Sequence, residues 1–164
     1  VTLADGLTHP IENLSAQLVH RGYLYAIDSR TKEPPYPELS INLATGERTE
    51  LTDLPVDKED THPTLTASNG YVIRRTDHIQ VRKNGSATAL LTRESTEEES
   101  YQSAAIYGSI LYLTLSGGRL HLIDLDTGEV ISQSRTGGQH EIVTVTPYGF
   151  CNESAFYPAT AWQS

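Results

Sequence analysis

The stretch Ile106–Val130, IYGSILYLTLSGGRLHLIDLDTGEV, decides how this chain is read. Two apolar segments with a period of two, Ser109–Leu115 and Arg119–Asp124, predict β-strands. Ser116-Gly117-Gly118 between them predicts a hairpin, because glycine reaches positive φ without a Cβ clash. Asp124-Leu125-Asp126-Thr127-Gly128 then supplies an Asp that can bond its own backbone and a Gly for the left-handed position, which is a turn into a strand over Glu129–Ser134. The unit is a meander of neighbouring antiparallel strands.

Working outward, the rest of the sequence reads as copies of this unit. A Gly before an aromatic or aliphatic strand recurs at Gly22, Gly70, Gly108 and Gly149, with spacings of 48, 38 and 41 residues. A second Gly, before the last strand of a copy, recurs at Gly46, Gly85 and Gly128, with spacings of 39 and 43. Two independent markers with a period near 40, and four short strands per copy, are the signature of propeller blades. The copies fall at about 16–52, 64–92, 102–134 and 141–164. In the second, strands over His78–Arg82 and Ala87–Thr92 are expected to be joined by Asn84-Gly85 in a type I′ turn. Ala155–Trp162 supplies one more strand to the fourth, and Pro10–Leu18 is the one place where a turn of helix could sit. The fold class expected is all-β, an array of four-stranded antiparallel blades numbering about 3.5 to 4.

Tyr23–Asp28 (YLYAID) and Leu120–Glu129 (LHLIDLDTGE) resemble blades of the PQQ-like and WD40-like β-propeller repeat families, in which a G-x-L-Y strand and a D-x-x-T-G-E turn recur once per blade. The likeness covers roughly Gln17 to Gly149 and implies an architecture. The structural Trp of both families is missing from the copies, Trp162 being the only Trp, and nothing matches the quinone site of PQQ dehydrogenases. No cofactor is therefore expected. A faint fourth copy leaves a closure problem, since an open blade edge invites foreign pairing. Either Val1–Asp5 returns to complete a four-bladed ring, or further blades or subunits complete a larger propeller. The absence of any Met makes the second the favoured expectation.

The chain has 164 residues, enough for one domain with a real core, and a formal net charge of −9. No stretch approaches the apolar length of a membrane span. Cys151 is the only cysteine, which excludes an internal disulfide and a cysteine-rich zinc site. The six His residues, His9, His20, His62, His78, His121 and His140, show no metal-binding spacing, and no metal is expected. Asp124-x-Asp126-x-Gly128 lacks the further acidic ligands of a calcium loop. No nucleophile elbow, phosphate-binding loop or dinucleotide fingerprint is present, so no catalytic residue is assigned. Asn13, Asn84 and Asn152 begin N-x-S sequons, read as N-glycosylation sites on a secretory route.

In a blade, the loops after the second and fourth strands emerge on one face. This reading puts the insertion Ser29–Pro37 together with Asp53–Asp60 and Arg93–Ser100. The last two each carry four acidic residues against one basic, so two thirds of the net charge of −9 gathers on that face. The candidate binding residues are Arg30, Lys32, Tyr36, Asp57, Asp60, Glu97, Glu98 and Glu99. Clustered negative charge steers a protein partner with a basic surface and repels nucleic acid. The expected function is a non-catalytic protein–protein interaction or scaffold module. The alternative is a propeller of a secreted glycan-binding or glycan-active protein, suggested by the sequons and by nine Tyr that could stack on sugars.

Overall fold

The computed structural model describes residues 14–30, 36–55, 63–96, 99–135, 141–142 and 144–158. They form four sheets, each an antiparallel meander whose strands pair in chain order. Blade 1 comprises β1 (Leu14–His20), β2 (Tyr23–Asp28), β3 (Glu38–Asn42) and β4 (Arg48–Glu50). Blade 2 comprises β5 (Thr64–Ser68), β6 (Tyr71–Arg75), β7 (His78–Lys83) and β8 (Leu91–Glu94). Blade 3 comprises β9 (Tyr101–Tyr107), β10 (Ile110–Leu115), β11 (Arg119–Asp124) and β12 (Val130–Arg135). Blade 4 has three strands, β13 (Thr144–Thr146), β14 (Gly149–Cys151) and β15 (Phe156–Pro158).

The first strands adjoin in succession, β1 to β5, β5 to β9 and β9 to β13, so the blades fan about a common inner edge. Serine hydroxyls pin neighbouring blades there. The Ile106 amide donates to Ser68 Oγ at 2.7 Å, and the Ile142 amide donates to Ser103 Oγ at 3.0 Å. The array is therefore the propeller-like arrangement that the forty-residue period predicts.

The core lies between blades because alternate side chains of a strand point to opposite faces. Ile73, Ile79, Val81 and Leu91 of blade 2 meet Leu111, Leu113, Leu115 and Ile123 of blade 3 in one buried aliphatic cluster. Burying a side chain of this kind stabilises by about 1.5–3 kcal/mol. Tyr112 and Leu120, on the other face of blade 3, pack with Ile142 and Phe150 of blade 4. Tyr25 and Leu51 of blade 1 meet Val72 of blade 2. On its far face blade 1 has its own buried cluster, Leu24, Ala26 and Ile41. No described residue of blade 4 joins that cluster, so the described blades form an arc. Val1–Asp5, the expected closing strand, lies outside the described residues.

Equivalent turns carry the same bonds in blades 1 and 3. Asn42 Oδ1 accepts from the Ala44 amide at 2.9 Å, and Asp124 Oδ1 accepts from the Asp126 amide at 2.8 Å. The Gly46 and Gly128 amides close the two loops on the Asn42 and Asp124 carbonyls, both at 2.7 Å. Both glycines have positive φ, 74° and 76°. Asp124 thus works as a turn-former, satisfied by its own backbone.

Two local expectations are corrected. Asn84-Gly85 is not a type I′ turn: Gly85 has positive φ but Asn84 does not, and β8 begins only at Leu91. The two residues open a longer connection, so the strand expected over Ala87–Thr92 starts later. Arg21-Gly22 and Asn69-Gly70 have positive φ at both positions and make the two-residue turns of blades 1 and 2. Of Pro10–Leu18, expected to be able to hold a turn of helix, residues 10–13 lie outside the described residues and Leu14–Leu18 is the start of β1, which β2 pairs along its length. In the fourth copy the strand expected over Ala155–Trp162 is present as β15, Phe156–Pro158, and residues 159–162 lie outside the described residues. Gly149 in β14 is required by close approach, since a Cβ there would meet the Tyr157 carbonyl oxygen at 2.0 Å.

Candidate functional site

In these meanders the connections after second and fourth strands share one side, here the loop face, and the connections after first and third strands share the other, the turn face. Asp53, Ser95 and Glu99, which are described residues of the two acidic segments, follow fourth strands and so lie on the loop face. Of the candidate residues, Lys32, Asp57, Asp60, Glu97 and Glu98 lie outside the described residues, as does Asn13. Arg30, Tyr36 and Glu99 are described.

Arg30 is held locally. Its Nε donates to both Asp28 oxygens at 2.8 Å, its Nη2 also bonds Asp28, and its backbone amide donates to Asp28 Oδ1 at 3.0 Å. The guanidinium and the amide together hold the Asp28 carboxyl at about 2, well below its ordinary range. The ion pair fixes the first turn of the Ser29–Pro37 insertion, whose far end presents Tyr36 at 41% exposure.

Glu99 is also engaged, its Oε1 accepting from Arg119 Nη1 at 2.7 Å. Nearby, the Tyr101 hydroxyl donates to the Glu94 carbonyl at 2.8 Å, tying the start of blade 3 to the end of blade 2. Burial pushes the Tyr101 phenol above its ordinary value. Burial also lowers the His121 imidazole below 6.5. Arg119 and His121 are thus site neighbours that the acidic run did not reveal. Their signal lay in the alternation of RLHLID, where positions 119, 121 and 123 share a face.

The remaining sequons are structurally occupied. Asn84 Oδ1 accepts from the Tyr25 hydroxyl at 3.0 Å, and its Nδ2 donates to the Arg21 carbonyl at 3.3 Å. Asn152 Oδ1 accepts from the amides of Ser154 at 2.9 Å and Ala155 at 2.7 Å, forming the link between β14 and β15.

A cavity of about 460 Å³ lies along the inner edge of blades 2 to 4. Hydroxyls of Thr64, Thr66, Ser103 and Thr144 line it, with Arg75 and Glu141 as its charges and no aromatic side chain. Exposed apolar side chains are distributed over both faces: Val19, Tyr107 and Tyr148 at the turn face, Tyr36 and Phe156 at the loop face. Among the described residues no three acidic, His or Cys side chains are placed to hold a metal ion. No helix of the described residues is long and apolar enough to cross a membrane.

No protein-family model matches this chain, and no curated protein is similar to it in sequence. Solved structures are similar. The computationally designed Ika4 protein superposes with a TM-score of 0.54 at 12% identity, covering 85% of this chain and 84% of that one. BamB from Moraxella catarrhalis gives 0.52 at 17% identity, over 79% of this chain and 38% of that one. The fold is that of β-propeller blades. Apo AztD from Citrobacter koseri gives 0.53 at 16% identity, over 84% of this chain and 40% of that one. The chain therefore spans well under half the length of BamB and AztD. A WD40 domain, from Neurospora crassa Pan2, and a europium-containing methanol dehydrogenase are matched at TM-scores of 0.49. The resemblance to β-propeller repeats that the blade motifs imply holds for the fold.

Proposed function

We propose that these propeller blades act as a non-catalytic protein-interaction module whose contact surface is the loop face, with a basic protein surface as partner. The observation that carries this reading is the strand order. Meanders set side by side support a common side for the connections after second and fourth strands, and in the sequence those connections hold most of the net negative charge. Arg30 and Glu99 are engaged with Asp28 and Arg119, so they anchor the loop bases. Asp57, Asp60, Glu97 and Glu98 supply the steering charge, and Lys32 and Tyr36 the edge of the contact. Further blades or a second subunit complete the propeller around it.

The glycan alternative gains no support from the inner cavity, which has neither a stacking ring nor a carboxylate pair. Charge reversal tests the interaction reading. Immobilised parent chain should capture a basic partner at 50 mM but not at 500 mM salt, as about 10 Å of screening length at 0.1 M shrinks further. The triple variant Glu97→Lys, Glu98→Lys, Glu99→Lys should lose the capture seen at 50 mM. Equal capture by the two chains at both salt concentrations would refute the reading.

A further inference from the structure

Strand register gathers a set of basic side chains at one end of the seam between blades 2 and 3. On β11, Arg119 and His121 share a face with Ile123, which belongs to the aliphatic cluster between these blades. On β12, Arg135 stands directly opposite Arg119, and Gln133 opposite His121, so both sit on that same face. On β8, Arg93 shares a face with Leu91, another member of the cluster. Three guanidinium groups and an imidazole therefore converge where β8 and β12 end and β11 begins, at the loop face.

Their charge is poorly balanced. Glu99 is the one carboxylate in an ion pair with any of them among the described residues. Arg93 Nη1 and His121 Nδ1 are buried atoms with no hydrogen-bond partner, and His121 is only 4% exposed. Like charges directly opposite on paired strands destabilise a sheet, and a buried donor left unpaired costs about 1–3 kcal/mol. A folded chain that keeps Arg119 opposite Arg135, and leaves a buried guanidinium donor and a buried imidazole nitrogen beside them without partners, has the form of a site for an anion.

We propose that this basic cluster binds a phosphate-type oxyanion, held by Arg93, Arg119 and His121, with the exposed Arg135 at its rim. The donors come from three strands of two blades. A tetrahedral group with several acceptor oxygens matches such divergent donors, and guanidinium forks pair with it in bidentate fashion. A single carboxylate satisfies fewer of them, as Glu99 does in reaching Arg119 alone. Glu99 is then the competitor that an entering oxyanion displaces from Arg119. The site is independent of the interaction reading above, since it needs the basic floor of the loop face and not its acidic rim.

The test uses sodium phosphate against sodium chloride at matched ionic strength, read by thermal melting and by isothermal titration calorimetry. Phosphate should raise the melting temperature saturably where chloride does not. Arg119→Ala and Arg135→Glu should each weaken binding about tenfold or more, whereas Glu99→Gln should tighten it several-fold. Phosphate should also shift the His121 ring resonances in the parent chain. Glycerol phosphate, compared with inorganic phosphate, separates a monoester ligand from the free anion. The proposal fails if phosphate gives no shift beyond chloride, or if the shift is the same in the parent, Arg119→Ala and Arg135→Glu chains. Arg135 is at the rim, so its variant keeps the test valid should Arg119→Ala not fold.

Discussion

The interface between blades 1 and 2 and the interface between blades 2 and 3 are built from opposite materials. The second is aliphatic throughout its centre, with Ile79, Val81, Leu111, Leu113 and Ile123 fully buried. The first is threaded with charge. Arg74 of β6 reaches Glu38 of β3 across the gap, with Nε and Nη2 each 2.8 Å from Oε1, and both side chains are over nine-tenths buried. Arg82, 1% exposed, donates to the Ala87 and Thr52 carbonyls and to Gln80 Oε1. Gln80 in turn donates to the Asp53 carbonyl at 2.5 Å and to Thr92 Oγ1 at 3.1 Å. Burial lowers the Arg82 guanidinium, and Glu38 opposes that shift.

The contrast separates two ways of joining blades. Aliphatic contacts supply free energy but tolerate sliding, whereas a buried network is satisfied in one arrangement only. Breaking one partner of a buried ion pair leaves a stranded charge and costs about 3–5 kcal/mol, while replacing both with apolar residues is often neutral. Arg74→Ala should therefore be the most damaging single change, lowering stability in urea unfolding by about that amount. The double variant Glu38→Leu, Arg74→Met should recover most of it. If the single and double variants are equally unstable, the pair does not join the blades.

In the aliphatic interface, Leu113→Ala should cost about 2–5 kcal/mol through lost burial and a residual cavity. A loss under 1 kcal/mol in the same assay would mean that the site collapses, and that the two interfaces differ less than the packing implies. Turn chemistry is a smaller effect. Gly128→Ala should cost about 1–2 kcal/mol, because φ is +76° while a Cβ there meets nothing within 4 Å. An unchanged melting temperature would contradict the left-handed geometry.

The smallest effect is a pH dependence at the outer end of the aliphatic interface. His121 has its pKa lowered by burial, with Glu99 opposing and Arg93 and Arg119 reinforcing the shift. Below 6.5 the unfolded chain takes up a proton that the folded imidazole resists, so stability falls as pH drops through that value. His121→Gln should flatten the difference in melting temperature between pH 7.5 and pH 5.5. An identical difference in parent and variant would remove His121 as its source.

What could be read from the sequence follows the same division. Leu111, Leu113 and Ile123 announce a core by alternation, and the spacing of Gly46 and Gly128 announces equivalent turns. Arg74, Gln80 and Arg82 give no such notice, because a polar residue at the alternate position of a strand reads as solvated. In an array, second and third strands are covered on both faces, so those residues are buried against blade 1. The same blindness hid the basic cluster. Glu99 is legible as part of an acidic run, but its partner Arg119 is on β11, and Arg93 and Arg135 come from other strands with no local motif to link them. Asn84-Gly85 misled in the other direction: the dipeptide has the composition of a tight hairpin, but its Asn is drawn into contact with Tyr25 of the neighbouring blade.

The fan of blades rests on contacts between first strands, and proton nuclear Overhauser spectra test those directly. The account predicts cross-peaks from the Ile106 amide to the Ser68 side chain and from the Ile142 amide to the Ser103 side chain, one blade apart in each case. Absence of both, with the pairings inside each sheet intact, would contradict it.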